Sequence, residues 1–159
     1  MGDQSVGKST FIKRYCENRF VSKYLATIGI DYGVKPLTLS STPILVSFFD
    51  LSGALDFLDV RSEFYSDAQG AVLLFDVCSR SSFENMRNWL AEANKYNLPS
   101  NCVIHVCGNK VDKSNRKISK EEATNWCKKE NLVYFETSAS TGKGVNDCFN
   151  SLLEKIITN

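Results

Sequence analysis

The sequence predicts an α/β fold with a mostly parallel central sheet and helices on both of its faces. Strand-like apolar runs alternate with helical segments along the chain, which is the pattern of repeated strand–helix–strand units. Two of the runs, 71–75 and 103–106, are almost continuously apolar, as strands buried on both faces of a parallel sheet are. Parallel strands need right-handed helical crossovers, and the ligands of such folds bind beyond the carboxyl ends of the strands. The residues that follow each strand are therefore the first candidates for a site.

Four apolar runs are predicted as strands, and a fifth segment is predicted at an edge of the sheet. The four runs are 44–49, 71–77, 103–107 and 132–136. Residues 31–39 can also form a strand, but Pro36 has no N–H to donate to a neighbouring strand. We therefore place this segment at an edge.

Four helices are predicted in the intervals between the strands. The first covers about residues 8–18, and the last covers about 145–157 with an apolar residue every three or four positions. Capping-box spacing, in which a serine precedes a glutamate by three residues, predicts where the other two begin. These pairs are Ser81 with Glu84 and Ser119 with Glu122.

The length, charge and composition are those of one globular domain, which we assign to residues 1–159. The formal net charge of +1 gives no reason to expect a nucleic acid or an anionic membrane as partner. No apolar run approaches the roughly 18 residues of a membrane span, and the N-terminal region lacks the features of a signal peptide. Six cysteines without a Cys-x-x-Cys pair indicate thiols in a reducing compartment. We expect an intracellular monomer, in the cytoplasm and conceivably the nucleus, without a nucleic acid partner.

Residues 2–9 match the phosphate-binding loop pattern G-x-x-x-x-G-K-[ST]. Glycines in such a loop let backbone amides wrap around phosphate oxygens, and the following helix presents its N-terminus to the anion. Lys8 is predicted to contact the β- and γ-phosphates, and the hydroxyl of Ser9 is predicted to bind Mg²⁺. The pattern indicates a nucleoside triphosphate but does not identify the base. The candidate phosphate-binding residues are Gly2, Asp3, Gln4, Ser5, Val6, Gly7, Lys8, Ser9 and Thr10.

A second motif, Asp50-Leu51-Ser52-Gly53, follows the strand predicted at 44–49. An aspartate at the end of a buried strand can hold Mg²⁺ directly or through water, and Gly53 can bring a backbone amide to the γ-phosphate. Alone the motif has little weight, because many strands end in an aspartate and turn on a glycine. Its position after a phosphate loop makes Asp50 a candidate metal ligand.

A third motif, Asn109-Lys110-Val111-Asp112, points to guanine as the base. The carboxylate of Asp112 can accept hydrogen bonds from the ring N–H and the exocyclic amine of guanine. Adenine offers no such pair of donors, so it would leave the carboxylate unpaired. Lys110 can lay its alkyl stem over the base.

A fourth motif, Glu136-Thr137-Ser138-Ala139, follows the last predicted strand. The backbone amide of Ala139 can reach the carbonyl oxygen of guanine, although the motif alone is also an ordinary polar loop. The candidate base-binding residues of the last two motifs are Asn109, Lys110, Asp112, Ser138 and Ala139.

In this order the four motifs resemble those of the Ras superfamily of small GTPases, over essentially the whole chain. The resemblance implies the phosphate-loop NTPase fold, binding of GTP or GDP with Mg²⁺, and hydrolysis of GTP. It also implies that Thr27 lies in a first switch segment, where it binds Mg²⁺ and contacts the γ-phosphate only in the GTP state. Phe20 matches an aromatic residue that packs against guanine, and a core residue at the end of a helix is the other interpretation. The implied catalytic positions are Lys8, Thr27, Gly53 and Ala54, and the implied metal ligands are Ser9, Thr27 and Asp50.

Three segments are similar to the Rab branch of the superfamily. Residues 27–32 carry the general Rab-like pattern, and residues 13–24 and 60–65 are similar to the Rab-like GTPases fused to a J domain, a DnaJ-homologue family. This narrower resemblance implies that the chain is one domain of a longer protein.

Ala54 departs from the pattern, because most active members of the superfamily have a water-orienting glutamine at this position. A methyl group cannot orient water, and neither can the side chain of Leu55. The γ-phosphate would repel a carboxylate at Asp56, and Gln4 can either crowd that phosphate or orient water. Losing one positioning contact costs on the order of 10²-fold in rate, so we expect slow intrinsic hydrolysis.

Both ends of the sequence also depart from the pattern. The superfamily has an apolar central strand immediately before the phosphate loop, whereas here Met1 directly precedes Gly2. Without that strand its two neighbours would lose their backbone partners, which is costly in a buried sheet, so we expect that the strand is missing from the sequence given. Residues 156–159 contain no cysteine for prenylation, so we expect no prenyl membrane anchor in this chain.

The sequence supports one main hypothesis and two rivals. The main one is a guanine-nucleotide switch in which GTP and Mg²⁺ order Thr27 and residues 50–65, and this surface recruits effector proteins while exchange factors renew the nucleotide. The second is a hydrolysis-deficient module that stays GTP-bound and recruits proteins. The third, a kinase or ATPase with the same phosphate loop, is disfavoured by residues 109–112.

Overall fold

The computed structural model describes residues 1–22, 25–39 and 41–158. Lys23 and Tyr24, which belong to a segment with Rab-like resemblance, lie outside the described residues. Along the described chain, the strands are β1 (Ile30–Leu39), β2 (Thr42–Leu51), β3 (Gly70–Asp76), β4 (Val103–Asn109) and β5 (Val133–Glu136). The helices are α1 (Lys8–Glu17), α2 (Leu58–Ser62), α3 (Arg80–Glu84), α4 (Met86–Lys95), α5 (Lys120–Lys129) and α6 (Val145–Thr158), and a 3₁₀ turn covers Leu55–Phe57.

Three strands form a parallel sheet in the order β3–β4–β5. β4 lies in the middle, paired with β3 along its whole length and with β5 from His105 to Gly108. Leu73, Phe75 and Val106 have no exposed surface, as strands covered on both faces require. The three strands predicted from residue 71 onward and the α/β fold class are confirmed.

β1 and β2 form a separate antiparallel hairpin, from Ile30 opposite Leu51 to Leu39 opposite Thr42. Among the described strands, β1 pairs with β2 alone. Pro36 lies in β1 opposite Leu45. An edge strand needs backbone partners on only one side, so the sheet tolerates the missing N–H of proline. The predicted edge strand is confirmed.

A cavity of about 910 Å³ lies between the hairpin and the parallel sheet. Met1 stands at one end of this space, where its amino group donates to the carbonyl of Val72 at 2.8 Å and its carbonyl accepts from the amide of Leu74 at 3.0 Å. These two bonds place Met1 opposite Leu73, as the last residue of a parallel strand would be. The cavity continues between β2 and β3 under Phe149 and Leu152 of α6.

The first residues of the helices can be compared with the caps predicted at Ser81 and Ser119. Ser119 accepts a hydrogen bond from the amide of Glu122 at 3.0 Å and begins α5, as predicted. The prediction for Ser81 was wrong, because Ser79 is the residue that caps α3 and accepts from the amide of Ser82. The hydroxyl of Ser81 instead meets that of Ser79 at 3.1 Å. The predicted single helix also divides at Asn85 into α3 and α4.

Two apolar clusters cover the two faces of the parallel sheet. On one face, Phe11 and Tyr15 of α1 pack against Phe149 of α6, with ring centroids 5.0 and 4.3 Å apart. On the other face, Met86 and Trp89 of α4 join residues of β3, β4 and α5. Within the described residues, no helix has the length and apolar character needed to cross a membrane.

Candidate nucleotide-binding site

The phosphate loop is a tight turn that packs against two strand ends. Gly2, Ser5 and Gly7 have φ angles of 138°, 63° and 102°. A Cβ atom at Gly2 would lie 2.3 Å from the carbonyl oxygen of Leu74, and one at Gly7 would lie 2.6 Å from the side-chain nitrogen Nδ2 of Asn109. Both positions therefore require glycine. The loop leads directly into α1, so the positive end of a ten-residue helix lies next to it.

Lys8 is held over this loop. Its Nζ donates to the carbonyl oxygens of Gly2 at 2.9 Å and Asp3 at 2.8 Å. Burial lowers the pKa of Lys8 to about 8, while the charges of Asp50 and Asp3 act in the opposite direction. The cation is thus bound by carbonyls whose place the oxygens of a phosphate group can take.

Ser9, Thr27 and Asp50, all predicted metal ligands, come together beside Lys8. The hydroxyls of Ser9 and Thr27 are 2.9 Å apart, and the Thr27 hydroxyl donates to Oδ2 of Asp50 at 3.2 Å. Asp50 is 5% exposed, and its buried Oδ1 has no hydrogen-bond partner among the described residues. Two hydroxyls and a carboxylate are the hard oxygen donors that Mg²⁺ prefers, so this group fits the cation.

The turn at Gly53 and Ala54 lies directly on the phosphate loop. A Cβ atom at Gly53 would be 2.5 Å from the backbone nitrogen of Gln4 and 2.8 Å from the carbonyl oxygen of Gly2. This contact explains why the position needs glycine. Ala54 follows in extended conformation, and its amide donates to the hydroxyl of Ser52 at 3.3 Å.

Asn109 joins the phosphate loop to the fourth motif. Its Nδ2 donates to the carbonyl of Val6 at 2.9 Å, and its Oδ1 accepts from the amide of Ala139 at 3.1 Å and the hydroxyl of Thr137 at 3.3 Å. Asn109 and Thr137 are almost completely buried. One side chain at the end of β4 therefore fixes two loops that are far apart in sequence.

The other predicted base-binding residues lie around this centre. Lys110, at a positive φ of 67°, donates from Nζ to the carbonyl of Ser5 and forms an ion pair with Asp76, both at 2.7 Å. The hydroxyl of Ser138 donates to Oδ1 of Asp112 at 2.5 Å, while Asp112 itself is exposed. The third and fourth motifs are thus in contact, as their positions at strand ends predicted.

Phe20 and Thr10 stand apart from these contacts. Phe20 follows α1, is 45% exposed, and belongs to none of the three apolar clusters of the described residues. Its interpretation as a core residue was therefore wrong, and packing against guanine stays a prediction. Thr10 lies half-buried in the first turn of α1.

Sequence reasoning missed several residues that hold the site together. Asp76 pairs with Lys110, and its place at the end of β3 is the same signal that identified Asp50. Arg14 donates to the carbonyls of Ala139 at 2.9 Å and Ser140 at 2.7 Å, a link that no local pattern reveals. The side chain of Asp3 points to α4, so within the loop its backbone is the part that faces Lys8.

A glycine-rich phosphate loop, the cluster of Ser9, Thr27 and Asp50, and two loops joined by Asn109 are the arrangement expected of a nucleotide-binding domain of the small-GTPase class. The family model for the Ras family matches residues 1–158. The chain belongs to the Ras family, whose members bind guanine nucleotides and act as nucleotide switches.

Comparison with curated proteins shows a more specific resemblance, to a group of DnaJ homologues. The chain is 47% identical to DnaJ homolog subfamily C member 27 of Rattus norvegicus, and 45% identical to that of Homo sapiens, each over 162 residues. It is 44% identical to DnaJ homolog subfamily C member 27-A of Xenopus laevis. Each alignment covers 99% of this chain and 59% of the relative. The expected resemblance to a DnaJ-homologue family is confirmed, and the chain spans less than two thirds of these relatives' length.

Proposed function

We propose that residues 1–159 form a Rab-like GTPase domain that binds GTP or GDP with Mg²⁺, acts as a molecular switch, and hydrolyses GTP slowly. The observation that carries this proposal is the group of Ser9, Thr27 and Asp50 beside Lys8, with contacts of 2.9 and 3.2 Å and an unpartnered buried carboxylate oxygen. Such a group needs a cation, and the neighbouring loop amides and Lys8 need an anion. A magnesium nucleotide supplies both.

The residues of the phosphate side have separate roles in this proposal. The loop amides and the N-terminus of α1 bind the phosphate oxygens, and Lys8 transfers its hydrogen bonds from carbonyls to the β- and γ-phosphates. Ser9, Thr27 and Asp50 would hold Mg²⁺, which supplies charge neutralisation on the phosphates. The amide of Gly53 contacts the γ-phosphate from the opposite side. Thr27 and Gly53 thereby distinguish GTP from GDP.

The contacts on the base side of the site support guanine as the bound base. Asp112 lies in contact with Ser138, and Asn109 holds the amide of Ala139 in place. A carboxylate next to a fixed backbone N–H matches the two donors and the carbonyl oxygen on one edge of guanine. An adenine in the same place would leave the carboxylate without donors, so ATP is disfavoured.

Slow hydrolysis is proposed because no side chain in the turn after Gly53 can position water. Ala54 ends in a methyl group, Leu55 is apolar and 75% exposed, and Asp56 is exposed and negatively charged. Gln4 is exposed on the phosphate loop and remains a candidate for orienting water. Attack of water on the γ-phosphate would then rely on charge stabilisation by Lys8 and Mg²⁺ alone.

A row of three aromatic side chains, two exposed and one half-buried, supports recruitment of effector proteins. The row consists of Tyr32 on β1, Phe49 on β2 and Phe64 after α2, with neighbouring ring centroids 5.1 Å apart. Tyr32 is 57% and Phe49 45% exposed. Phe64 lies within residues 50–65, which the nucleotide is proposed to order. A partner that packs on this row would therefore sense the bound nucleotide.

Ala54 also favours a second candidate function, a hydrolysis-deficient module that stays GTP-bound and recruits proteins. In that case exchange or protein level, rather than hydrolysis, controls the bound state. The two candidates share the same binding site and differ only in the rate of hydrolysis.

Single-turnover hydrolysis of bound GTP with Mg²⁺ tests both candidates, since slow turnover supports the first and complete retention of bound GTP supports the second. We expect very slow hydrolysis in the wild type and on the order of 10²-fold acceleration in Ala54→Gln, because the amide can hold the attacking water. Ala91→Gln, which adds the same side chain at an exposed position on α4, is the matched control. Rapid hydrolysis in the wild type would contradict slow hydrolysis and make Gln4 the next residue to test. Failure of GTP to outcompete ATP for the site would contradict the proposed function itself.

A further inference from the structure

A buried arginine joins the turn after Asp50 to helix α4. Arg61 in α2 is 2% exposed, and its Nε and Nη2 each donate to one carboxylate oxygen of Glu92 at 2.7 Å. Its Nη1 donates to the carbonyl of Ala54 and, at 3.4 Å, to that of Ser52. These two carbonyls flank Gly53. One planar guanidinium group thus fixes the residues on both sides of the proposed γ-phosphate contact.

The guanidinium group of Arg61 also packs on Trp89, which in turn contacts the phosphate loop. Its guanidinium lies 4.6 Å from the centre of the Trp89 ring. The indole N–H of Trp89 donates to Oδ1 of Asp3 at 2.7 Å, and Nδ2 of Asn85 donates to Oδ2 of Asp3 at 2.8 Å. The carboxylate of Asp3 is therefore turned away from the phosphates, which it would repel. One face of α4 therefore contacts the phosphate loop through Asp3 and the turn at Gly53 through Arg61. Both of these segments would bind the same phosphates.

The chemistry of this arrangement requires arginine in particular. Arg61 must donate to Glu92 with one edge and to backbone carbonyls with another, and a guanidinium carries donors on both edges in one plane. The hydroxyl of Tyr65 also donates to Oε1 of Glu92, at 2.8 Å, so the carboxylate is fixed from two sides. A lysine at position 61 has one rotating ammonium group and cannot keep all of these contacts.

We propose that Arg61 is a positioning residue that sets the Gly53 amide for the γ-phosphate, and that Glu92 and Trp89 hold Arg61 in place. This inference rests on the proposed function. A contact to the γ-phosphate exists only with GTP, so loss of Arg61 weakens GTP binding more than GDP binding. The state of the nucleotide is transmitted in the other direction, through Asp3 and Arg61, to Trp89.

The ratio of nucleotide release rates tests the proposal. We expect Arg61→Ala and Glu92→Gln to speed release of a non-hydrolysable GTP analogue about tenfold more than release of fluorescent GDP, as loss of one contact of about 1.4 kcal/mol would. Arg61→Lys should behave like Arg61→Ala. Equal acceleration of both nucleotides, or full rescue by lysine, would overturn the proposal, because either result means a general structural role or charge alone.

Trp89 gives a second, spectroscopic test. In a Trp126→Phe background, its fluorescence should change when GDP is exchanged for the GTP analogue, and Arg61→Ala should reduce that change, because the direct contact of Trp89 with Asp3 remains. An unchanged signal in the parent protein would overturn transmission to Trp89. Trp126 packs near Phe83, with ring centroids 6.1 Å apart, and has no part in the proposed path.

Arg87→Ala is the matched control, because Arg87 lies on α4 but is largely exposed in a 3.6 Å ion pair with Glu130. It should leave the ratio of release rates unchanged. Because loss of a buried arginine can unfold a protein, circular dichroism of each variant comes first, and Glu92→Gln retains the shape of the cluster if Arg61→Ala does not fold. A wild type that binds neither nucleotide would overturn the proposed function, whereas normal binding with an unchanged ratio in the variants would overturn only the role of Arg61.

Discussion

The base side and the γ-phosphate side of the site are built in different ways. On the base side, Asn109, Thr137 and Ser138 are at most 1% exposed and hydrogen-bonded within the core. On the γ-phosphate side, Thr27 lies in an irregular segment next to Ile28, which is 81% exposed. The folded core therefore forms the base side with or without nucleotide. The γ-phosphate side depends on a few contacts that a ligand can rearrange, as a switch requires.

Asn109→Ala tests the base side and should have the largest effect. It leaves the carbonyl of Val6, the amide of Ala139 and the hydroxyl of Thr137 without their present partner. Each buried group left unpaired costs about 1–3 kcal/mol, so the free energy of unfolding should fall by at least about 3 kcal/mol. Affinity for both nucleotides should fall together, on the order of 10²-fold. Urea unfolding and equilibrium binding of fluorescent GDP measure the two quantities.

The control for this change is Asn88→Ala, since within the described part of the chain the side chain of Asn88 makes a single, exposed hydrogen bond, to Asn85 at 3.3 Å. It should alter neither stability nor affinity. If Asn109→Ala instead weakens the binding of GTP much more than the binding of GDP, the base side and the γ-phosphate side are coupled, and the contrast between them is wrong.

Thr27→Ala tests the γ-phosphate side and should have an intermediate effect. Its hydroxyl meets Ser9 and Asp50, and in the proposed function it also meets Mg²⁺ and the γ-phosphate. We expect release of a GTP analogue to become about tenfold faster, with GDP release and thermal stability nearly unchanged. Stopped-flow fluorescence gives both rates. Thr38→Ala, at an exposed position on β1, is the control, and an equal effect on GDP would place Thr27 outside the γ-phosphate contact.

The titration of His105 should have the smallest effect, and it tests whether β4 is a rigid support for the site. Burial lowers the pKa of His105, and the charge of Lys155 acts in the same direction. Its Nε2 lies 3.1 Å from the hydroxyl of Ser151. Because the unfolded chain binds this proton at a higher pH than the folded chain does, stability should be lost as pH falls through 6.5 towards the lowered pKa of the folded state. The slope is at most about 1.4 kcal/mol per pH unit.

His105→Phe removes this titration while keeping an aromatic ring next to Phe135. Urea unfolding between pH 7.5 and 5.5 should show a shallower pH dependence in the variant than in the wild type. An identical pH dependence of the unfolding free energy would mean that His105 accepts a proton in the folded state. Solvent would then have better access to this part of β4 than its burial indicates.

The parts of the molecule that were predictable from sequence are those that local chemistry decides. The phosphate loop is recognisable because glycine and lysine must stand at fixed spacing, and Ser119 because a cap bonds to an amide three residues away. Ser81 shows the limit of the same rule. Ser79 has an equally suitable hydroxyl, and the spacing of Ser81 and Glu84 could not reveal which serine the end of β3 would place at the cap.

The contacts between distant elements were not predictable from a single sequence. Arg61 and Glu92 are 31 residues apart, and Asp3 and Trp89 are 86 apart. Neither spacing has a local signature, and an exposed helical arginine has the same sequence context as a buried one. The core packing that brings α2 and α4 together decides these pairs. Apart from Phe20 and Thr10, the predicted site residues lie close together, whereas the residues that position them appear only in the structure.

The division of the described strands into a hairpin and a parallel sheet has a consequence for the order of folding. Leu39 pairs with Thr42, three positions further along the chain, whereas Gly70 of β3 pairs with Val103 of β4 across a helical crossover. Hairpins form within about 1–10 μs, while sheets that close long loops form more slowly. We expect the hairpin to gain its register first and the parallel sheet to assemble afterwards. The phosphate loop, which needs both Asn109 and Gly53 around it, would then be among the last parts of the chain to reach its native conformation.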